Sequence, residues 1–211
     1  MELVTYSLEE FADELASDSP APGGGSVSAL AGSLGAALTA MVCALTLGKK
    51  KYEDAHETAA RTQEEALALK AQLLEAVDKD TEAFHAVSSA YKLPKGTEEE
   101  KRSRSEAIQE GLAACIESPL RIMDLSLRGL RLAEGMLQGF NTSAASDLGV
   151  SVLMFKAGLQ GAWLNVRINL GSLKDKEKAA AYEQKAQTIL DEALSLANRT
   201  ILAVGDLLEE K

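Results

Sequence analysis

The chain has 211 residues, 46% of them hydrophobic and 26% charged, enough for one domain to bury a core without disulfide or metal staples. Four prolines and 4% aromatics argue against an all-β architecture, while a formal net charge of -10 and a pI near 4.8 argue against nucleic acid or an anionic membrane as partner. Cys43 and Cys115, the two cysteines, sit in apolar helical patterns and read as reduced core residues of a cytoplasmic protein.

Residues 1–19 are acidic and amphipathic, unlike a signal peptide. Within them, Ser7-Leu8-Glu9-Glu10 is a capping box that predicts a helix over residues 8–16, stopped by Pro20 and Pro22. Gly23-Gly24-Gly25 then opens a second helix that runs to Gly48, where Lys49-Lys50-Lys51 meets the negative end of its dipole. Residues 27–47 carry no charge and are long enough to cross a bilayer. They are rich in Ala, Gly, Ser and Thr, and no second span of that kind follows, so the pattern predicts a buried central helix.

A third helix is expected over residues 52–90, closed by Pro94-Lys95-Gly96. Thr97-Glu98-Glu99-Glu100 is a second capping box and starts a fourth helix to residue 137, in which Pro119 predicts a kink or break near Glu117 and Ser118. After the turn Gly139-Phe140-Asn141-Thr142-Ser143, helices are expected over residues 144–170 and 174–208. No period-2 strand pattern occurs. The fold class is all-α, an antiparallel bundle of about six long helices. So slender a shape gives each residue few neighbours in its own chain, which favours a homodimer. Ser28, Gly32, Gly35, Ala36 and Thr39 let another helix come close, whether from the same chain or from a second copy.

Several chemistries are disfavoured. Two histidines and two cysteines give no standard zinc spacing, the triple glycine is not a dinucleotide fingerprint, and Gly48-Lys49 lacks the rest of a phosphate loop. Neither a metal nor a cofactor is expected. His85 shares a helix face with Asp78 but is turned by about 140° from Asp80, which reads as a structural histidine. Asp80 is the anomaly of that helix, because the row Asp80, Phe84, Val87, Tyr91 carries a carboxylate onto an apolar stripe, where desolvation displaces its pKa. Asn165 and Asn169 are a second anomaly, two amides on one face among Trp163, Leu164, Val166, Ile168 and Leu170.

Asp147, near the start of the same helix, either complements the helix dipole or is held at a polar turn of Asn141, Ser143 and Ser146. Asp147 and Asn165 face the same way but lie about 27 Å apart along one helix. One site that uses both needs an elongated ligand or residues from two subunits.

Pro22-Gly23-Gly24-Gly25-Ser26, Gly48-Lys49-Lys50, Asp80 with Ala83-Phe84, Leu93-Pro94-Lys95, Asn141 with Ser146-Asp147, and Asn165-Val166-x-x-Asn169-Leu170 together resemble the cyclodeaminase/cyclohydrolase family of folate one-carbon enzymes. The likeness covers nearly the whole chain. It implies a helical homodimer acting on a tetrahydrofolate derivative with one or more glutamates in its tail. In one reaction of the family a formimino group closes to methenyl-tetrahydrofolate and releases ammonia; in the other, water opens the methenyl ring to the formyl form. Under this resemblance Asp80 or Asp147 moves the proton while the other orients the pterin or faces its cationic carbon. Asn165 and Asn169 meet polar folate atoms, Lys49 and Lys50 meet glutamate carboxylates, and Gly23, Gly24, Gly25 and Ser26 bring a helix start against the ligand, with Asn141 and Ser143 at the polar turn. Phe140 departs from the glycine commonly found before that asparagine. The alternative function is a folate-binding module or helical scaffold without turnover.

Overall fold

A computed structural model describes residues 2–209, and the regular structure among them is helical throughout. A 3-10 turn at Leu3–Thr5 precedes α1 (Leu8–Leu15), α2 (Gly24–Leu47), α3 (His56–Tyr91), α4 (Glu98–Met136), α5 (Ala145–Leu170) and α6 (Lys176–Glu209). Further 3-10 turns at Lys50–Ala55 and Thr142–Ala144 lead into α3 and α5. Both capping boxes form: Ser7 Oγ accepts from Glu10 N at 3.2 Å, and Thr97 Oγ1 accepts from Glu100 N at 3.2 Å, with each glutamate reaching back.

Helices α2 to α5 close a ring in which each packs on the next and α5 returns to α2, while α6 lies outside against α4 and α5. The periodicity of each helix explains its place. Ala59, Thr62, Ala66, Leu69, Leu73 and Val77 make one buried stripe of α3, and Ala186, Ile189, Ala193, Leu196, Thr200 and Val204 make that of α6. Ion pairs such as Arg131–Glu192 and Lys185–Asp124 tie α6 to α4, but their half-exposed partners add little beside the apolar stripe.

Helix α2 differs, being apolar on almost every side, with its small residues deciding how near α5 comes. A Cβ on Gly158 would lie 2.6 Å from the Ser28 carbonyl oxygen, and one on Gly35 would lie 3.0 Å from that of Ser151. The two backbones therefore touch. At the same level Thr39 Oγ1 and Ser151 Oγ share a hydrogen bond of 2.7 Å, and Ser151 Oγ donates to the Gly35 carbonyl at 2.8 Å. Ser28 meets Gly158 while Gly35 meets Ser151, so α2 and α5 run antiparallel and the end of one lies beside the start of the other.

Of the kink or break expected at Pro119, the break does not occur. Helix α4 continues through it from Glu98 to Met136, because its flanking turns are clamped on both sides by α3 and α5, and tertiary packing outweighs the missing hydrogen bond. Part of α2 faces outward: Val27, Leu34, Met41 and Leu45 are exposed in a single row, and α5 adds Val150, Leu153, Leu164 and Ile168.

Gly158→Ala should lower the free energy of unfolding by about 1–3 kcal/mol in urea titrations, since the new methyl meets backbone atoms that cannot rotate away. Gly135→Ala, whose Cβ meets nothing within 4 Å, should instead raise it by about 0.4–1 kcal/mol.

Candidate active site

The start of α2 is built around a carboxylate from the neighbouring helix. Asp80 projects from α3 onto the first turn of α2, where the backbone N–H of Ser26 donates to it and Ser118 Oγ of α4 donates to its Oδ1 at 3.3 Å. A Cβ on Gly25 would overlap both carboxylate oxygens, so the missing side chain is what makes room for Asp80. Free N–H groups at a helix start, and the dipole behind them, favour the ionised carboxylate. Burial opposes them and dominates, holding the Asp80 carboxyl above its ordinary pKa while the Ser118 and Ser26 bonds pull it back. The Cys115 thiol is pushed up to about 11 by burial and then by the charge of Asp80.

The two asparagines of α5 complete this end. A Cβ on Gly24 would lie 3.0 Å from Asn165 Nδ2, which donates instead to the Gly161 carbonyl at 2.9 Å. Asn169 Nδ2 donates to the Asn165 carbonyl at 2.9 Å and to the Cys115 carbonyl at 3.3 Å. Three consecutive glycines thus have three situations: Gly23 meets nothing within 4 Å, Gly24 faces an amide and Gly25 faces a carboxylate. The Ser26 hydroxyl is fully buried and donates to the Val77 carbonyl at 2.8 Å, also contacting Thr81 Oγ1 at 3.2 Å. That serine fixes α2 to α3, and only its backbone N–H faces the carboxylate.

The opposite end of α2 gathers the other predicted residues. Asn141 is buried; its N–H donates to Thr46 Oγ1 at 3.0 Å and its Nδ2 to the Leu45 carbonyl at 3.2 Å, so its Oδ1 is left to accept from Ser143 N at 3.2 Å and Lys49 Nζ at 3.4 Å. Lys50 and Ser143 are exposed, and Asp147 is half-buried in the first turn of α5. A hydrogen bond with Thr142 holds the Tyr52 phenol below its usual pKa, helped by the charges of Lys51 and Lys49.

Asp80 and Asp147 therefore belong to different clusters. Gly25 and Thr46 stand near the two ends of a 24-residue helix, about 30 Å apart at the helical rise per residue. His85 is exposed, its ring edge-on to that of Phe84, and Asp78 accepts from Leu3 N at 2.6 Å. Ser118, Cys115, Thr46 and Tyr52 join the two clusters although the sequence marks none of them as a site residue, Cys115 reading there as a core cysteine whereas it is only partly buried. Only Ser118 carried a signal, its position directly before a proline within a helical pattern.

Residues 7–188 match the formiminotransferase-cyclodeaminase family. The chain is 40% identical over 193 residues to a methenyltetrahydrofolate cyclohydrolase of Methylorubrum extorquens, covering 92% of this chain and 93% of that protein. It is 36% identical over 205 residues to the formimidoyltransferase-cyclodeaminase of Rattus norvegicus, and spans 37% of that longer protein. The crystal structure of a formiminotetrahydrofolate cyclodeaminase from Thermotoga maritima superposes with a TM-score of 0.82 at 28% identity, covering 99% of this chain and 98% of that one.

A folded-state carboxyl pKa above the unfolded value contributes stability that is fully present below the unfolded pKa and is lost as pH rises through the folded one. Asp80→Asn escapes that loss. In urea titrations the variant should be more stable than the parent at neutral pH, with the difference closing as the pH falls below the ordinary carboxylate range.

Proposed function

This chain belongs to the formiminotransferase-cyclodeaminase family and is a folate one-carbon enzyme, and from that premise we propose that it acts on tetrahydrofolates whose carbon bridges, or comes to bridge, N5 and N10, with Asp80 carrying the proton. The observation that supports this is a partly buried carboxylate whose pKa is raised by burial, set against a helix start beside two asparagine amides. A carboxylate raised above its ordinary pKa is a stronger proton acceptor than a free one, and its charge attracts an amidinium carbon.

In the cyclohydrolase direction, Asp80 takes a proton from water as the water oxygen bonds to the bridging carbon. The adduct then breaks its carbon–N5 bond, N5 receives the proton from Asp80, and the hydroxyl loses its own to solvent. In the cyclodeaminase direction, N10 bonds to the carbon of a protonated formimino group and gives its proton to Asp80. Asp80 passes that proton to the amino group, which leaves as ammonia. Both schemes begin with ionised Asp80. The Methylorubrum extorquens relative, matched over 92% of this chain and 93% of its own, is named as a cyclohydrolase and the structural neighbour as a cyclodeaminase, so both directions are proposed for the one site.

At the far end, Lys49, Lys50 and the Asn141 turn are proposed to hold the glutamate carboxylates, with Asp147 orienting the ligand. Two copies are proposed to assemble through the exposed row of α2 and its extension on α5. These apolar residues run between the two clusters, so an antiparallel pairing sets the Asp80 end of one copy beside the Asp147 end of the other.

Methenyl-tetrahydrofolate absorbance reads both reactions, by its loss in water or its appearance from formimino-tetrahydrofolate. Asp80→Asn should lower turnover by about 10²–10⁴-fold, and the parent's activity should fall with decreasing pH through a midpoint above the ordinary carboxylate range. Full activity in that variant would remove Asp80 from the mechanism. If the site is shared, a mixture of Asp80→Asn and Asp147→Asn proteins, unfolded and refolded together, should regain turnover that neither has alone; no regain would place each site within one chain.

A further inference from the structure

Pro119 lies buried in the middle of α4, a 39-residue helix, where a proline has two consequences. It has no N–H, and its ring crowds the carbonyl four residues earlier, which is that of Cys115. The Cys115 carbonyl therefore loses its usual helical donor four residues on, and away from water such a group finds one elsewhere. Its partner comes from another helix: Asn169 Nδ2 of α5 donates to it at 3.3 Å.

That bond fixes more than one residue. The second hydrogen of the Asn169 amide goes to the Asn165 carbonyl at 2.9 Å, so both of its donors are used inside the protein and only its oxygen remains for a ligand. On the other side, the residue before Pro119 is Ser118, whose hydroxyl donates to Asp80 Oδ1 at 3.3 Å. Cys115 itself lies within the field of Asp80. The carbonyl released by the proline, the amide that takes it, and the serine beside the proline all stand at the level of the same carboxylate.

We infer that Pro119 is a positioning residue for the reaction: by withholding a helical donor from the Cys115 carbonyl it draws Asn169 of α5 onto α4, and so holds Asn169 and Ser118 in register around Asp80. The inference rests on Asp80 as the proton carrier. An alanine at this position would supply the missing N–H, close the ordinary helical bond to Cys115 and displace Asn169. Helix α4 would gain regularity and the site would lose its cross-link.

The test is a double-mutant cycle in the full-length protein on turnover at saturating methenyl-tetrahydrofolate, alongside thermal melts. Pro119→Ala should melt no lower than the parent yet turn over about tenfold more slowly, with KM little changed. Asn169→Ala should give a loss of similar size, and the double variant should lose no more than the worse single one, because both changes remove the same bond. Ser118→Ala should move the acid limb of the pH profile upward, since it removes a donor that favours the ionised carboxylate. Multiplying losses in the double variant, or full turnover in Pro119→Ala, overturns the inference. If Pro119→Ala fails to fold, Asn169→Ala decides alone: a loss in turnover with an altered pH profile supports it, and a change confined to KM overturns it. Asp80→Asn separates the two levels, since full activity there overturns the role of Asp80, whereas an inactive Asp80→Asn with multiplying losses in the cycle overturns only that of Pro119.

Discussion

The site depends on one close approach, that of the Asp80 carboxylate to the first turn of α2 at Gly25. Two opposed effects meet at that point. Free N–H groups and the dipole of a 24-residue helix favour the charge, and loss of water disfavours it. Burial dominates, so the carboxyl is raised rather than lowered. A side chain on Gly25 would occupy the same space as the carboxylate, so the glycine is a condition for the charge to be there at all.

Helix α2 then acts as a ruler for the rest. Its small residues let α5 pack antiparallel against it with backbone almost in contact, which brings Asn165 and Asn169 to its start and the Asn141 turn to its end. Asn165 would not stand against Gly24 if α5 were held off by larger side chains at Gly158 or Gly35. The close packing and the placement of the two clusters are therefore one property of the sequence, and the same helix leaves an apolar row uncovered between them.

Much of this was legible in advance wherever the cause was local. The capping boxes at Ser7 and Thr97, the glycine start of α2 and the turn at Asn141 depend on neighbours within a few residues, and the helix bounds follow them closely. Asp80, Asn165 and Asn169 were visible as polar residues on apolar faces. What the sequence concealed was tertiary. Pro119 reads as a kink or a break because the rule concerns an isolated helix, yet neighbours on both sides hold α4 continuous and α5 supplies a donor to the carbonyl that the proline releases. Tyr52 and Thr46 are ordinary in sequence and join a site only because the turn after α4 folds back onto the end of α2.

The distribution of charge links the two ends to the proposed ligand. The chain carries a net charge of -10, yet the end of α2 is followed by Lys49, Lys50 and Lys51 while its start faces a carboxylate. Each helix end thus carries the charge opposite to its own partial one, and the molecule presents an anion at one end and cations at the other. A methenyl-tetrahydrofolate has the complementary pattern, cationic at its bridging carbon and anionic at its glutamate. A polarity that stabilises the helix locally is, under the proposed reading, also the polarity that recognises the substrate. With about 30 Å between the ends of one helix, one molecule of ligand meets both charges either by being long enough to span them or by taking the start of α2 from one copy and its end from another.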